Sequence, residues 1–169
     1  MTFLRKLIWI GVMMLPVFAV RGEDPGLTLY RDVTLANHDI NDGDSFFVQV
    51  GDRVLHLRLY FVDCPETSVN NDHDARRVQE QARYFGIDDA ERVPWLGEQA
   101  GDFVRQVLSA PFTVYTSHAK ALGGRGSERI YAFVVTSTGR DLGELLIENG
   151  MARNFGVKRS GPDGTRHDE

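Results

Sequence analysis

The sequence predicts an α+β domain with a mainly β core, a five-stranded barrel with three to four helices packed around it. Two observations carry that reading. Three short apolar segments of strand character precede residue 62, and two segments of helical period then separate them from two further strands and a closing helix.

The elements follow in order. Leu27 to Leu35 alternates loosely and reads as a first strand, and Ser45 to Val50 as a second that ends at Gly51-Asp52, a pair suited to a tight hairpin. Val54 to Phe61 is a third strand. Leu55, Leu57, Leu59 and Phe61 share one side, while Val54, His56, Arg58 and Tyr60 share the other. With the turn at 51 and 52, residue 50 faces 53 and 45 faces 58, so Asp44 lies within one ladder position of Arg58. Such a carboxylate and guanidinium can also form a plain structural ion pair.

The polar stretch Ser68 to Asp74 reads as an exposed loop. In Ala75 to Ile87, Val78, Ala82 and Phe85 recur at helical spacing, and Arg76 and Glu80 stand four apart on another face. A second helix is expected from Trp95 to Ala110, with Ala100, Phe103, Val104, Val107 and Leu108 inward. Phe112 to Ser117 and Arg129 to Thr136 read as strands joined by the tip Gly123-Gly124-Arg125-Gly126. Asp141 with Glu144 opens a third helix as a capping box, and Gly150 ends it.

The ends and the composition set bounds. Arg5 and Lys6, the apolar run Leu7 to Val20 and the polar Arg21-Gly22-Glu23-Asp24 read as an export signal over residues 1–22, cut after 19 or 22. The alternative is an uncleaved membrane anchor, and both predict a secreted, periplasmic or membrane-tethered domain facing away from the cytoplasm. Residues 27–157 fit one domain of common size, and 158–169, poor in apolar residues, are expected to be a disordered tail. Cys64 is the only cysteine, so no internal disulfide is possible; its place between Asp63 and Pro65 favours burial. Without residues 1–22 the chain carries 16 basic and 24 acidic residues, near −8. That balance argues against a passive coat for nucleic acid, and leaves room for an enzyme with a local cationic patch and a bound metal.

Four stretches carry chemistry: Asp42-Gly43-Asp44-Ser45, then Arg58, then Asp63-Cys64-Pro65-Glu66-Thr67, and far downstream Arg129. Carboxylates suit a hard cation, a further carboxylate can take a proton, and guanidinium groups suit a phosphate. Asp42-Gly43-Asp44 alone is a common turn composition, and Phe46-Phe47 stand where a helix–loop–helix calcium site would need oxygens. Any metal here draws on distant sequence, with Asp63 the obvious donor. Pro65 turns the chain after the third strand and displays Asp63 and Glu66 at a strand end.

The run Asp42 to Ser45, the fourteen-residue step to Arg58, and Arg58-Leu59-Tyr60-Phe61-Val62-Asp63-Cys64-Pro65-Glu66-Thr67 resemble the staphylococcal nuclease (thermonuclease) family. Looser matches follow at Gly97 to Ala100, at Arg129 with Ala132-Phe133-Val134, and from Glu144 to Ala152, so the likeness spans roughly Val33 to Val157. The resemblance implies an OB-fold barrel and calcium-dependent endonucleolytic cleavage of DNA, RNA or both, releasing the 5′-oxygen and leaving 3′-phosphates. It implies calcium on Asp44, Asp63 and the Cys64 carbonyl, Glu66 as general base, and Arg58 and Arg129 on the scissile phosphate. No stable protein partner is implied, and a monomer is expected.

This chain departs from the family pattern in three places. Gly126-Ser127-Glu128 precedes Arg129 where the best-known member has Lys-Tyr-Gly, and a second substrate-contacting tyrosine falls near Gly156, with Phe155 beside it. The stretch between Glu66 and Arg129 is longer, with an extra helix bearing Arg76, Arg77 and Arg83; these read as a solvated face or as replacements for the lost contacts. His73 reads as part of a hydrated loop, and His56 as structural or site-lining. Two rivals remain: a non-catalytic OB-fold module that binds nucleic acid or protein, and an extracellular calcium-binding structural module, which leaves Arg58 and Arg129 without a role.

Overall fold

The computed structural model describes residues 26–122, 128–157 and 159–163. Its strands are β1 (Thr28–Leu35), β2 (Ser45–Val50), β3 (Arg53–Leu59), β4 (Val62–Asp63), β5 (Phe112–Ala121), β6 (Arg129–Val135) and β7 (Arg153–Asn154). Its helices are α1 (Asp72–Phe85), α2 (Val93–Val107) and α3 (Leu142–Glu148). The larger sheet is mixed, in the order β1-β2-β3-β6-β5, and β5 pairs back onto β1 so that the sheet rings closed. The expected export segment and the Gly-rich tip lie outside the described residues. Of the expected tail, residues 159–163 are described, and Arg159 Nη2 donates to Gly26 O at 3.5 Å.

Local chemistry explains the ring. Gly51 takes φ +54° at the hairpin, and β2 and β3 pair with Ser45 opposite Arg58 and Val50 opposite Arg53, the expected register. Register shifts occur in β1 between Tyr30 and Val33 and in β5 between Thr116 and Lys120, each beside a left-handed residue, Asp32 or His118. Such bulges bend strands, and a ring of only five strands requires strong bending. Alternate residues Phe46, Val48, Leu57, Leu59, Val114, Ala132 and Val134 fill the interior, closed over by Ala100, Val104, Leu142 and Leu146 from the helices. Each large apolar side chain so buried is worth roughly 1.5–3 kcal/mol.

Some expectations are corrected. The third strand ends at Leu59, because Phe61 has φ +63° and breaks the ladder. Phe61 therefore leaves the leucine side and packs with Tyr60 and Phe133 in a separate aromatic cluster. Beyond the break, Val62 and Asp63 pair antiparallel with Asn154 and Arg153. The expected loop 68–74 ends early: Asn71 Oδ1 accepts from the backbone N of His73 and Asp74 at 2.9 and 3.0 Å, so α1 starts at Asp72. The second helix starts at Val93, after a 3-10 turn at Ala90–Arg92 capped by Asp89, and ends at Val107. The strand from Phe112 runs on to Ala121. α3 agrees with its signals, with Asp141 accepting from Glu144 N at 3.0 Å and Gly150 at φ +68° beyond its end.

α1 stands apart from the barrel core. Its Val78 and Ala82 pack with Val93, Ile87 and Ala90 in a cluster of their own. Its neighbouring face, bearing Arg77 and Gln81, reaches the end of β4.

Candidate active site

The turn before β2 is built on Asp42. Its Oδ1 accepts from the backbone N of Asp44 at 3.0 Å and of Ser45 at 2.6 Å. Between them Gly43 has no room for a side chain, since a Cβ would come within 2.7 Å of Cys64 Sγ and 2.8 Å of Ala100 Cβ. The turn is thereby pressed onto the segment after β4. Asp44, 3% exposed, ties the two together: Oδ1 is bound by Arg58 Nη1 and Oδ2 accepts from Cys64 N at 2.7 Å. Cys64 is buried and unbridged, and burial followed by Asp44 pushes its thiol pKa up, so the side chain acts as a filler.

The two arginines converge. β3 and β6 pair in parallel with Leu57 opposite Ile130, so Arg129 comes up beside the β2–β3 hairpin. Arg129 Nη1 donates to Ser45 Oγ at 2.8 Å, and Arg58 Nη1 stands 3.4 Å from the same oxygen. Arg129 also donates to Leu122 O at 2.9 Å. Burial, then the neighbouring Arg58 charge, lowers the Arg129 pKa. Two like charges gathered beside one hydroxyl form a place where an anion is welcome.

Asp63, 1% exposed, is engaged by four donors. Its Oδ1 accepts from Arg58 Nη2 at 3.1 Å and Arg77 Nη2 at 2.7 Å; its Oδ2 accepts from Gln81 Nε2 at 3.2 Å and Arg153 Nε at 2.9 Å. Burial alone would raise its pKa, but Arg77 and Arg58 overcome burial and hold it below the usual range. Glu66 is half-buried, with Oε1 2.8 Å from the same Arg77 amino group and its backbone N held by Gln81 Oε1 at 2.9 Å. Burial raises its pKa, against the opposing pull of Arg77. The Asp42 pKa is raised to about 8, by burial and then by the adjacent Asp44.

Asp44, Arg58, Asp63, Cys64, Glu66 and Arg129, singled out in sequence, therefore meet at one place. A cleft of about 820 Å³ is lined by Arg58, Arg77, Arg129, Arg153, Tyr131 and Phe155, among others. An adjoining one of about 370 Å³ carries Asp42, Asp44, His56 and Glu66, and Arg58, Arg77 and Arg129 line both. Within the extra helix Arg77 is no solvated side chain; it is bonded to Asp63 and Glu66. Gln81 and Arg153 had no sequence reading at all. The one available signal was that Arg77 and Gln81 stand four apart beside the apolar Val78–Ala82 stripe, hence on one common face. His56 is buried and stacked on Phe47, with centroids 4.0 Å apart, and burial followed by Arg129 lowers its pKa to about 4. His73 lies in the first turn of α1, exposed.

No protein-family model matches the chain, and no curated protein matches it. A metal must accordingly be judged from the donors. Among the described residues no group of three or more His, Cys, Asp and Glu side chains stands arranged to hold an ion. The oxygens themselves are of the hard kind that calcium takes: two carboxylates and the Cys64 carbonyl. Asp44 and Asp63 are also set to share one positive group, since the two amino ends of Arg58 bind one each. The donor set thus fits a hard cation in kind, with guanidinium and amide groups now on its oxygens, Cys64 O accepting from Gln81 Nε2 at 3.0 Å.

Proposed function

We propose that this chain is an exported, calcium-dependent nuclease of the staphylococcal nuclease family, hydrolysing phosphodiester bonds of DNA, RNA or both on an OB-fold barrel. The observation that carries the reading is the meeting of Arg58 and Arg129 at Ser45 Oγ, directly beside the Asp44 carboxylate. Guanidinium groups so gathered can grip the non-bridging oxygens of one phosphate, with bonds that strengthen as charge builds there. Glu66, which lines the smaller cleft, accepts the proton of the attacking water. The water oxygen bonds to phosphorus in line with the 5′-oxygen, whose bond to phosphorus breaks and which leaves as a hydroxyl by taking a proton from solvent. Asp44, Asp63 and the Cys64 carbonyl would hold calcium, which when bound supplies charge neutralisation and orientation of the phosphate. Gln81 fixes the backbone of Glu66, and Arg77 its carboxylate.

One observation favours a second reading. Asp63 already accepts four hydrogen bonds, as a purely structural ion cluster would. A non-catalytic module of the same family would keep the cluster and lack turnover.

The test is cleavage of single-stranded DNA by purified residues 23–169, expected with calcium and abolished on chelation. Glu66→Gln is expected to lower the rate by about 10²–10⁴ with the unfolding midpoint unchanged. Undiminished cleavage by that variant removes Glu66 from its role. Calorimetry with a nonhydrolysable dinucleotide, with and without calcium, separates a nucleotide-binding module from a structural one that ignores the nucleotide.

A further inference from the structure

Arg77 stands out among the groups on Asp63, and an inference about it rests on the nuclease reading above. A carboxylate offers about four acceptor positions, and on Asp63 four donors fill them: Arg58 and Arg77 on Oδ1, Gln81 and Arg153 on Oδ2. A cation reaching Asp63 must therefore displace a donor. Gln81 is fully buried, holding Glu66 N and Cys64 O as well. Arg153 is 12% exposed and lies over the Phe155 ring, 4.5 Å from its centroid. Arg58 is 18% exposed and fixed between two carboxylates on β3. Arg77 is 32% exposed, comes from a helix outside the barrel core, and spends one amino group on both Asp63 and Glu66. It also lines the larger cleft, where Arg58, Arg129 and Arg153 gather and a phosphate would enter.

We propose that Arg77 is a charge latch on the cation site. In the resting protein it holds Asp63 and Glu66 together and opposes a divalent ion by like charge; a phosphodiester in the cleft draws it away and opens the carboxylates. Cation and phosphate then bind cooperatively, each raising the affinity for the other by the same factor. Arg77 is in this sense a positioning residue, and the latch belongs to the inserted helix α1.

The test is calorimetric titration of the full chain with calcium chloride, alone and with a nonhydrolysable dinucleotide bearing a charged phosphate group. Wild type is expected to bind calcium at least about tenfold tighter with the dinucleotide than without, as a coupling of ordinary size. Arg77→Gln is expected to bind calcium alone about tenfold tighter than wild type and to lose most of the dinucleotide effect. Arg77→Lys keeps the charge and is expected to restore part of the coupling, while Arg83→Gln, exposed on the same helix, behaves as wild type. If Arg77 merely braces the site, Arg77→Gln binds calcium equally or more weakly, and the latch is overturned. Should that variant fail to fold, wild type decides: calcium affinity indifferent to the dinucleotide overturns the proposal. A wild type that cleaves DNA with calcium while Arg77→Gln leaves calcium affinity unchanged sinks the latch alone. A wild type that neither cleaves nor binds calcium sinks the nuclease reading and the latch together.

Discussion

Two glycines in α2 offer a controlled measurement of how tightly this helix is pressed on the site. Gly97 and Gly101 lie one turn apart, both buried and both inside the helix. On propensity alone, alanine at either position stabilises by about 0.8–1 kcal/mol. Their surroundings differ. A Cβ on Gly97 would lie 2.5 Å from Pro65 O, 2.8 Å from Glu66 O and 3.0 Å from Glu66 C, all backbone. A Cβ on Gly101 would meet nothing nearer than Arg105 Nη1 at 3.5 Å, an ordinary contact with the end of a mobile side chain. Overpacking of a rigid neighbour costs about 1–3 kcal/mol. Since the propensity gain is common to both variants, their difference isolates the clash.

Gly101→Ala is expected to stabilise by about 0.8–1 kcal/mol, and Gly97→Ala to be less stable than Gly101→Ala by about 1–3 kcal/mol. With an ordinary urea slope of about 1–3 kcal/mol per molar, the two midpoints separate by about 1 M. The same clash pushes on the backbone of Glu66, so Gly97→Ala is also expected to lower the proposed nuclease activity where Gly101→Ala does not. Equal urea midpoints for the two variants would refute the close approach of α2 to the Pro65–Glu66 backbone.

Two further expectations concern stability. Gln81→Leu keeps the volume but strips partners from Glu66 N and Cys64 O, and one of four from Asp63; unpaired buried groups cost about 1–3 kcal/mol each, so a total of about 2–6 kcal/mol is expected by urea unfolding, and a loss under about 1 kcal/mol would contradict the bonding described. Asp42 has a folded pKa raised from 3.8 to about 8, so between those values the folded state keeps a proton that the unfolded chain has lost. Its contribution is therefore full below the unfolded value and declines as pH rises towards 8, opposite in sign to Asp63, whose lowered pKa contributes above the unfolded value and is lost on acidification. Asp42→Asn, which still accepts both backbone N–H bonds through its Oδ1, is expected to flatten the fall in thermal midpoint between about pH 5 and 8. An unchanged slope argues that the Asp42 carboxyl titrates elsewhere.

The sequence by itself determined what local patterns can encode. Alternation set the leucine face of β3, Gly51-Asp52 fixed the register of β2 on β3 to the residue, and Asp141 with Gly150 bounded α3. The hairpin register alone was enough to put Asp44 beside Arg58, because the turn leaves no freedom to slip without turning every side chain over. Where a strand would end was not legible, because the left-handed backbone at Phe61 has no local signal in an aromatic residue. Tertiary structure also decided the company of Asp63. The parallel pairing of β3 with β6 brings Arg129 to Ser45 across 84 positions, and the docking of α1 and β7 delivers Arg77, Gln81 and Arg153. A helical period tells which residues share a face, and Arg77 looks solvated on that account. Whether such a face meets water or a buried carboxylate depends on which distant element packs against it, and that is settled only by closing the whole chain around the anion.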